Sequence, residues 1–109
     1  MSQAKIKELK KAKEAVKKYV ALLRSEDFPV DRAYIFGSYA RGNFKKESDI
    51  DVCIVSPRLS KNWDKNESYL WQLTRKIDAR IEPVGYGPED FKTSTILSRG
   101  IKKNGVRVV

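Results

Sequence analysis

The sequence predicts a small α/β domain of the α+β kind, in which a mixed β-sheet is covered by helices. Three observations favour this class: helical and strand-like segments alternate along the chain, the apolar runs are short, and turn residues separate them. With 109 residues, 40% hydrophobic and 34% charged, the chain is expected to form one domain over residues 1–109 around one modest core.

The first half of the chain predicts one long helix and two strands. Residues 2–24 contain good helix formers without Gly or Pro, and their apolar side chains form one stripe. This helix is expected to stop before Phe28-Pro29, because a residue that precedes a proline avoids the α region. Residues 33–36 form a short apolar run typical of a buried strand, and residues 49–55 are the strongest strand candidate in the sequence.

The second half predicts two more helices and a third strand. Residues 63–77 have the apolar spacing of a helix, and residues 78–84 alternate like a strand. A last helix is expected from Pro88 to about residue 103, since proline suits the first turn of a helix. Residues 106–109 are short and apolar enough for a terminal strand.

Charge and composition narrow the possible functions. The net charge of +9 is concentrated near the N-terminus, and it suits either a polyanionic partner, such as nucleic acid, or simply a solvated helix face. The absence of histidine excludes Ser-His-Asp triads and His-ligated zinc. The single Cys53 and the lack of a membrane-spanning apolar run or secretory signal favour a cytoplasmic protein.

Two aspartates stand at the start of the strongest predicted strand. Because side chains alternate along a strand, Asp49 and Asp51 are expected on one side while Ile50 points into the core. Two carboxylates at this spacing repel each other unless a hard divalent cation lies between them, and Mg²⁺ takes such ligands together with substrate phosphates. On its own, an Asp-x-Asp pair is more often an ordinary polar strand entrance.

A glycine and a serine follow the first predicted strand. Gly37 allows the backbone to approach a ligand closely, and a helical turn beginning at Ser38 would direct free N–H groups towards a phosphate. Alone, such a pair is usually just a turn. Combined with the aspartates, four fixed residues match by chance at roughly one starting point in 50,000. A phosphate cradle beside a carboxylate pair is what phosphoryl or nucleotidyl transfer requires.

The combined pattern resembles the signature of the DNA polymerase beta-like nucleotidyltransferase superfamily, and in particular its smallest branch, the minimal nucleotidyltransferases. Element order is similar over nearly the whole chain, and the match is residue by residue at Gly37, Ser38, Arg41, Gly42, Asp49 and Asp51. The resemblance implies a nucleotidyltransferase-like fold. It also implies that Gly37 and Ser38 hold a nucleoside triphosphate and that Asp49 and Asp51 bind divalent metal, two Mg²⁺ ions.

The resemblance also implies an activity and a partner. It implies an enzyme that moves a nucleotide, AMP from ATP, to an acceptor hydroxyl. Many minimal nucleotidyltransferases act as antitoxins, silencing a helical HEPN-type ribonuclease toxin by transferring AMP to one of its tyrosines. Larger members of the superfamily carry a further domain for the base or the acceptor. This chain is therefore expected to work as a homo-oligomer or with a second protein.

The family has a third acidic residue on a later strand, which completes the metal site and helps to activate the acceptor hydroxyl. Asp78 and Glu82 are the candidates. Glu82 is favoured because it lies well inside the predicted strand, whereas Asp78 is expected to cap the preceding helix or to pair with Arg80. Family members usually carry aspartate here, so a glutamate departs from the pattern by one methylene group. A purely structural salt bridge for Glu82 is the alternative.

Two further questions stay open at the level of sequence. Arg41 suits either contact with triphosphate oxygens or an ion pair with a neighbour such as Asp49. The chain as a whole could also be a degenerate transferase that binds RNA or an acidic protein without chemistry. Transfer to a small molecule such as an aminoglycoside is the third possibility, and it ranks last because those enzymes are normally longer.

Overall fold

The computed structural model describes residues 2–93 and 95–109 and contains a four-stranded mixed sheet with helices on both faces. The elements in chain order are α1 (Gln3–Ser25), β1 (Arg32–Phe36), α2 (Ser38–Arg41), β2 (Ile50–Val55), α3 (Trp63–Thr74), β3 (Ile81–Tyr86), α4 (Pro88–Lys92), α5 (Ile96–Asn104) and β4 (Val106–Arg107). A 3₁₀ turn, Pro57–Ser60, follows β2. The strand order is β3-β2-β1-β4, with β1 antiparallel to both neighbours and β2 parallel to β3. The predicted fold class is confirmed.

The main core lies on one face of the sheet, where α1 and α3 pack against it. Cross-strand partners share a face, so Ala33, Ile54 and Gly85 lie together on this side. The apolar stripe of α1, including Val16 and Leu23, is fully buried here. The Tyr19 hydroxyl donates a hydrogen bond to the Leu70 carbonyl at 2.7 Å, which joins the two helices.

A smaller apolar cluster lies on the opposite face, under α4 and α5. It consists of Tyr34, Cys53, Val55, Phe91 and Ile101, with Phe36, Val84 and Tyr86 packed at its border. This cluster covers only part of the face. The candidate site residues occupy the remainder, at the C-terminal end of β1 and the N-terminal ends of β2 and β3.

Several predicted boundaries were wrong by a few residues. The second strand begins at Ile50, so Asp49 lies just before it, and the third begins at Ile81, so Asp78 lies in the preceding turn. The single helix expected from residue 88 to 103 is two helices, because Thr95 caps a new one: its hydroxyl accepts a hydrogen bond from the Ser98 N–H at 3.1 Å. None of the described helices is long and apolar enough to cross a membrane.

Candidate active site

The strand register brings the predicted carboxylates to one place on the sheet. Asp51 on β2 lies opposite Phe36 on β1 and opposite Glu82 on β3, so these three side chains project from the same face in one row. Asp49 precedes β2 by one residue and is exposed at the same end. The turn at Gly37 follows β1 directly, so it adjoins Asp51.

Gly37 is required by two features of this turn. Its φ of 70° lies in the left-handed region that side chains other than glycine rarely adopt. A Cβ at this position would also collide with the Asp51 carboxylate, whose Cγ would be 3.1 Å away. The backbone at Gly37 and the Asp51 carboxylate therefore pack so closely that no side chain fits between them.

We expect Gly37→Ala to lower the free energy of unfolding by about 1–3 kcal/mol, because it adds left-handed strain and displaces the Asp51 carboxylate. Thermal or urea unfolding measures the change. Gly42→Ala is the matched comparison, since Gly42 also has a positive φ, of 80°, at the other end of α2. The rate of nucleotidyl transfer by Gly37→Ala should fall by more than the decrease in the folded fraction of the protein. Full transfer by a folded Gly37→Ala protein would contradict this account of the turn.

Burial and neighbouring carboxylates raise the pKa of two of these groups, Asp51 and Glu82. Burial is the main cause that raises the pKa of Asp51, and the negative charge of Asp49 raises this pKa further. The Arg41 guanidinium acts in the opposite direction and lowers it. The pKa of Glu82 is also raised, mainly by partial burial. The negative charges of Asp49 and Asp51 and a hydrogen bond shared with Asp49 raise it further. The three groups are therefore close enough for their negative charges to be mutually unfavourable.

Asp78, the other candidate for the third carboxylate, forms an ion pair with Arg80. Its carboxylate pairs with the Arg80 guanidinium at 2.9 Å and also accepts the Arg80 N–H at 2.9 Å. The hydrogen bond from Arg80 is the main reason that the pKa of Asp78 lies below its usual value. Asp78 thus closes the turn before β3, while Glu82 faces Asp51.

The α2 turn and Arg41 lie beside the carboxylates. The first hydrogen bond of the turn runs from the Arg41 N–H to the Gly37 carbonyl at 3.0 Å, so the N–H groups of Ser38 to Ala40 are not used within it. Arg41 is exposed, and among the described residues no ion pair within 4.0 Å includes it. The alternative in which Arg41 pins the loop by pairing with Asp49 is therefore not observed.

A cleft of about 710 Å³ opens beside this turn, and α5 forms its far wall. The near wall consists of Gly37, Ala40, Arg41 and Asp51, with Phe36 at the base. The far wall consists of Ile96, Leu97, Gly100, Ile101, Asn104 and Gly105. Sequence reasoning placed a helix here but assigned it no role. The sequence did contain an indication of such a role: Ile96 and Leu97 are adjacent, and two adjacent apolar residues make the apolar face of a helix wider than packing against the core requires.

A comparison with protein-family models decides the family. The model described as "Nucleotidyltransferase domain" matches residues 9–104, nearly the whole chain. This chain is a nucleotidyltransferase-family protein. The resemblance drawn from the Gly-Ser and Asp-x-Asp pattern is confirmed, and the chain has the activity of that family, the transfer of a nucleotide.

Curated relatives of this nucleotidyltransferase come from Methanocaldococcus jannaschii. One, named as a candidate protein adenylyltransferase, is 36% identical over 69 residues, which span 62% of this chain and 69% of that protein. A second protein with the same description and source is 45% identical over 42 residues, which span 38% of this chain and 42% of the relative.

Solved structures share the fold of this nucleotidyltransferase. A candidate nucleotidyltransferase from Sulfolobus solfataricus superposes with a TM-score of 0.71 at 23% identity, covering 98% of this chain and 87% of that one. A toxin–antitoxin complex with AMP-PNP gives a TM-score of 0.62 at 22% identity, covering 89% of this chain and 72% of the other. At these identities the likeness concerns the fold.

The donor set of the nucleotidyltransferase suits a hard divalent cation, although its side chains are not arranged around one. Among residues 2–93 and 95–109, no group of three Asp, Glu or Cys side chains is in position to hold a metal ion. The backbone register nevertheless places Glu82 opposite Asp51, with Asp49 close enough to raise the pKa of both. A cation that takes oxygen ligands, such as Mg²⁺, would reduce the electrostatic repulsion between carboxylates that lie this close together.

Proposed function

We propose that this chain is a metal-dependent nucleotidyltransferase that moves AMP from ATP to a hydroxyl group of a protein. The specific acceptor we propose is a tyrosine of a HEPN-type toxin partner, for which the chain acts as antitoxin. The observation that carries the proposal is the row of Asp51 and Glu82 in register, directly beside the turn at Gly37.

The turn and Arg41 would bind the triphosphate. Ser38 begins α2, and the backbone N–H groups there can donate to phosphate oxygens, to which the Ser38 hydroxyl adds one more donor. Arg41 lines the same cleft and offers a planar, permanently charged guanidinium that suits phosphate oxygens. Asp49 and Asp51 would hold Mg²⁺ against those phosphates, with Glu82 completing the site. Bound Mg²⁺ supplies charge neutralisation and orientation.

The acceptor would approach from the Glu82 side. Its hydroxyl oxygen forms a bond with the α-phosphorus, the bond from the α-phosphorus to the bridging oxygen breaks, and pyrophosphate leaves. The hydroxyl proton must pass to a base, and we assign this role to Glu82 because the strand register places it opposite Asp51, beside the proposed cation. The products are an AMP ester of the acceptor and pyrophosphate, so atoms and charge balance.

Two comparisons support the finer parts of the proposal. The Methanocaldococcus jannaschii relatives are named as protein adenylyltransferases, which favours AMP as the transferred group and a protein as the acceptor. The fold is also that of a chain in a toxin–antitoxin complex bound to AMP-PNP, which favours a toxin as the partner. The HEPN type and the tyrosine rest on the family resemblance.

The test uses nucleoside triphosphates labelled at the α-phosphate. The purified protein is incubated with Mg²⁺, lysate of the source cell and each of the four triphosphates. We expect one discrete labelled protein with ATP, and mass spectrometry of that protein should place one AMP on a tyrosine of a helical partner. The double variant Asp49→Asn/Asp51→Asn should abolish the label, because it removes both negative charges that hold the cation.

The matched control is Asp31→Asn/Asp64→Asn, which removes the same charge at two exposed positions. Asp31 precedes β1 and Asp64 lies at the start of α3, both at the opposite end of the sheet from Asp51. This control should label normally. No Asp49/Asp51-dependent label with any nucleotide would favour instead a degenerate fold that binds RNA or protein. In that case, polyanion affinity should fall steeply with salt and be unaffected by Asp51→Asn.

A further inference from the structure

The α5 wall of the cleft presents apolar surface that no described part of the chain covers. Ile96 is 88% exposed and Leu97 is 45% exposed, although both side chains are large and apolar. Gly100 lies on the same wall, and a Cβ built there would meet nothing within 4 Å. The wall therefore combines apolar contact area with free space, next to the turn at Gly37.

Hydrogen bonds anchor the wall at both ends. At its start, the Thr95 N–H donates to the Ser98 hydroxyl at 3.0 Å and the Ser98 N–H donates back to the Thr95 hydroxyl at 3.1 Å. At its end, the Gly105 N–H donates to the Ile101 carbonyl at 2.8 Å, and β4 begins at the next residue and pairs with β1. A surface fixed in this way costs little ordering when a ligand binds.

The sheet order places α5 on the opposite side of Asp51 from Glu82. Glu82 on β3 flanks Asp51 on one side, and Gly37 at the end of β1 flanks it on the other. In the proposed function the acceptor approaches from the Glu82 side, so the rest of the nucleotide would extend from Gly37 in the other direction. That direction leads into the cleft beneath α5, which packs on β1.

Building on the proposed function, we propose that α5 forms the nucleobase site, with the base against Leu97 and Gly100 and with Asn104 selecting adenine. The cleft of about 710 Å³ falls within the usual range for small-molecule sites, ~300–1,000 Å³. Among the described α5 residues that line the cleft, Asn104 alone has an amide that both donates and accepts. That combination matches the amino group and ring nitrogen at the edge of adenine.

The test compares the affinities of three ligands by isothermal titration calorimetry with Mg²⁺: ATP, GTP and inorganic tripolyphosphate. We expect the unaltered protein to bind ATP about tenfold or more tightly than tripolyphosphate, because only ATP reaches α5. Gly100→Trp fills the free space and should weaken ATP binding about tenfold while leaving tripolyphosphate unchanged. Asn104→Ala should reduce the preference for ATP over GTP.

The controls separate a blocked site from a damaged fold. Tryptophan has a higher helix propensity than glycine, so Gly100→Trp should unfold at the same temperature as the parent protein or above it. Ser68→Trp introduces the same side chain at an exposed position of α3 and should leave all three affinities unchanged.

Two results would overturn the α5 site: equal affinity of the unaltered protein for ATP and tripolyphosphate, or undiminished ATP binding by Gly100→Trp. Neither result bears on the α-phosphate labelling experiment, which tests the transferase proposal separately. If labelling fails while the ligand pattern holds, the base site stands and only the transferase proposal falls. If no ligand binds the unaltered protein, the base site is overturned directly.

Discussion

Glu82→Gln is expected to slow nucleotidyl transfer by about 100- to 10,000-fold, the usual contribution of a positioned general base. The substitution keeps the size of the side chain but removes its charge and its ability to accept the acceptor's proton. Glu82 lies opposite Asp51 on the neighbouring parallel strand. Because no other described carboxylate has this register position, none is expected to replace it. Single-turnover transfer from labelled ATP measures the effect.

Asp78→Asn is the matched control, because Asp78 is the other acidic residue near the start of β3. Its carboxylate is engaged by Arg80, so transfer by this variant should stay within a fewfold of the parent rate. Glu82→Asp should retain more activity than Glu82→Gln, since it keeps the charge and loses only one methylene group. Equal loss in Asp78→Asn and Glu82→Gln would show that the strand register does not identify the third carboxylate.

Ile54→Ala is expected to lower the free energy of unfolding by about 2–5 kcal/mol, the range for removing a buried Ile side chain. Ile54 is fully buried on the central strand β2, on the face covered by α1 and α3. Since small domains are stable by only about 5–15 kcal/mol, this is a large part of the total. Urea unfolding followed by circular dichroism measures the change.

Ile6→Ala removes the same apolar atoms from a side chain that is 55% exposed on α1, so its effect should be small. Ile54 lies on the face opposite Asp51, because neighbouring register rows alternate between the faces of the sheet. The fraction of Ile54→Ala that is folded should therefore transfer nucleotide normally. Similar destabilisation by both variants would mean that Ile54 is not part of the core.

Local features of the sequence were enough to predict the fold class and most of the candidate site. Helix and strand periods depend on neighbouring residues, so the alternation of elements could be recognised directly. The Gly37-Ser38 turn and the Asp49-x-Asp51 pair are each short, and the chemistry of each follows from residues adjacent in the chain. Membership of the nucleotidyltransferase family followed from these same residues and was confirmed by the family match.

Tertiary structure decided what depends on residues far apart in the chain. The sequence already favoured Glu82 over Asp78, but that Glu82 lies opposite Asp51 follows from the register of β3 against β2, which strand alternation alone does not specify. The position of α5 beside the cleft also depends on distant residues, since β4, which follows the helix, returns to pair with β1. Both features arise from long-range packing and strand pairing, whereas a sequence pattern reports only the neighbours along the chain.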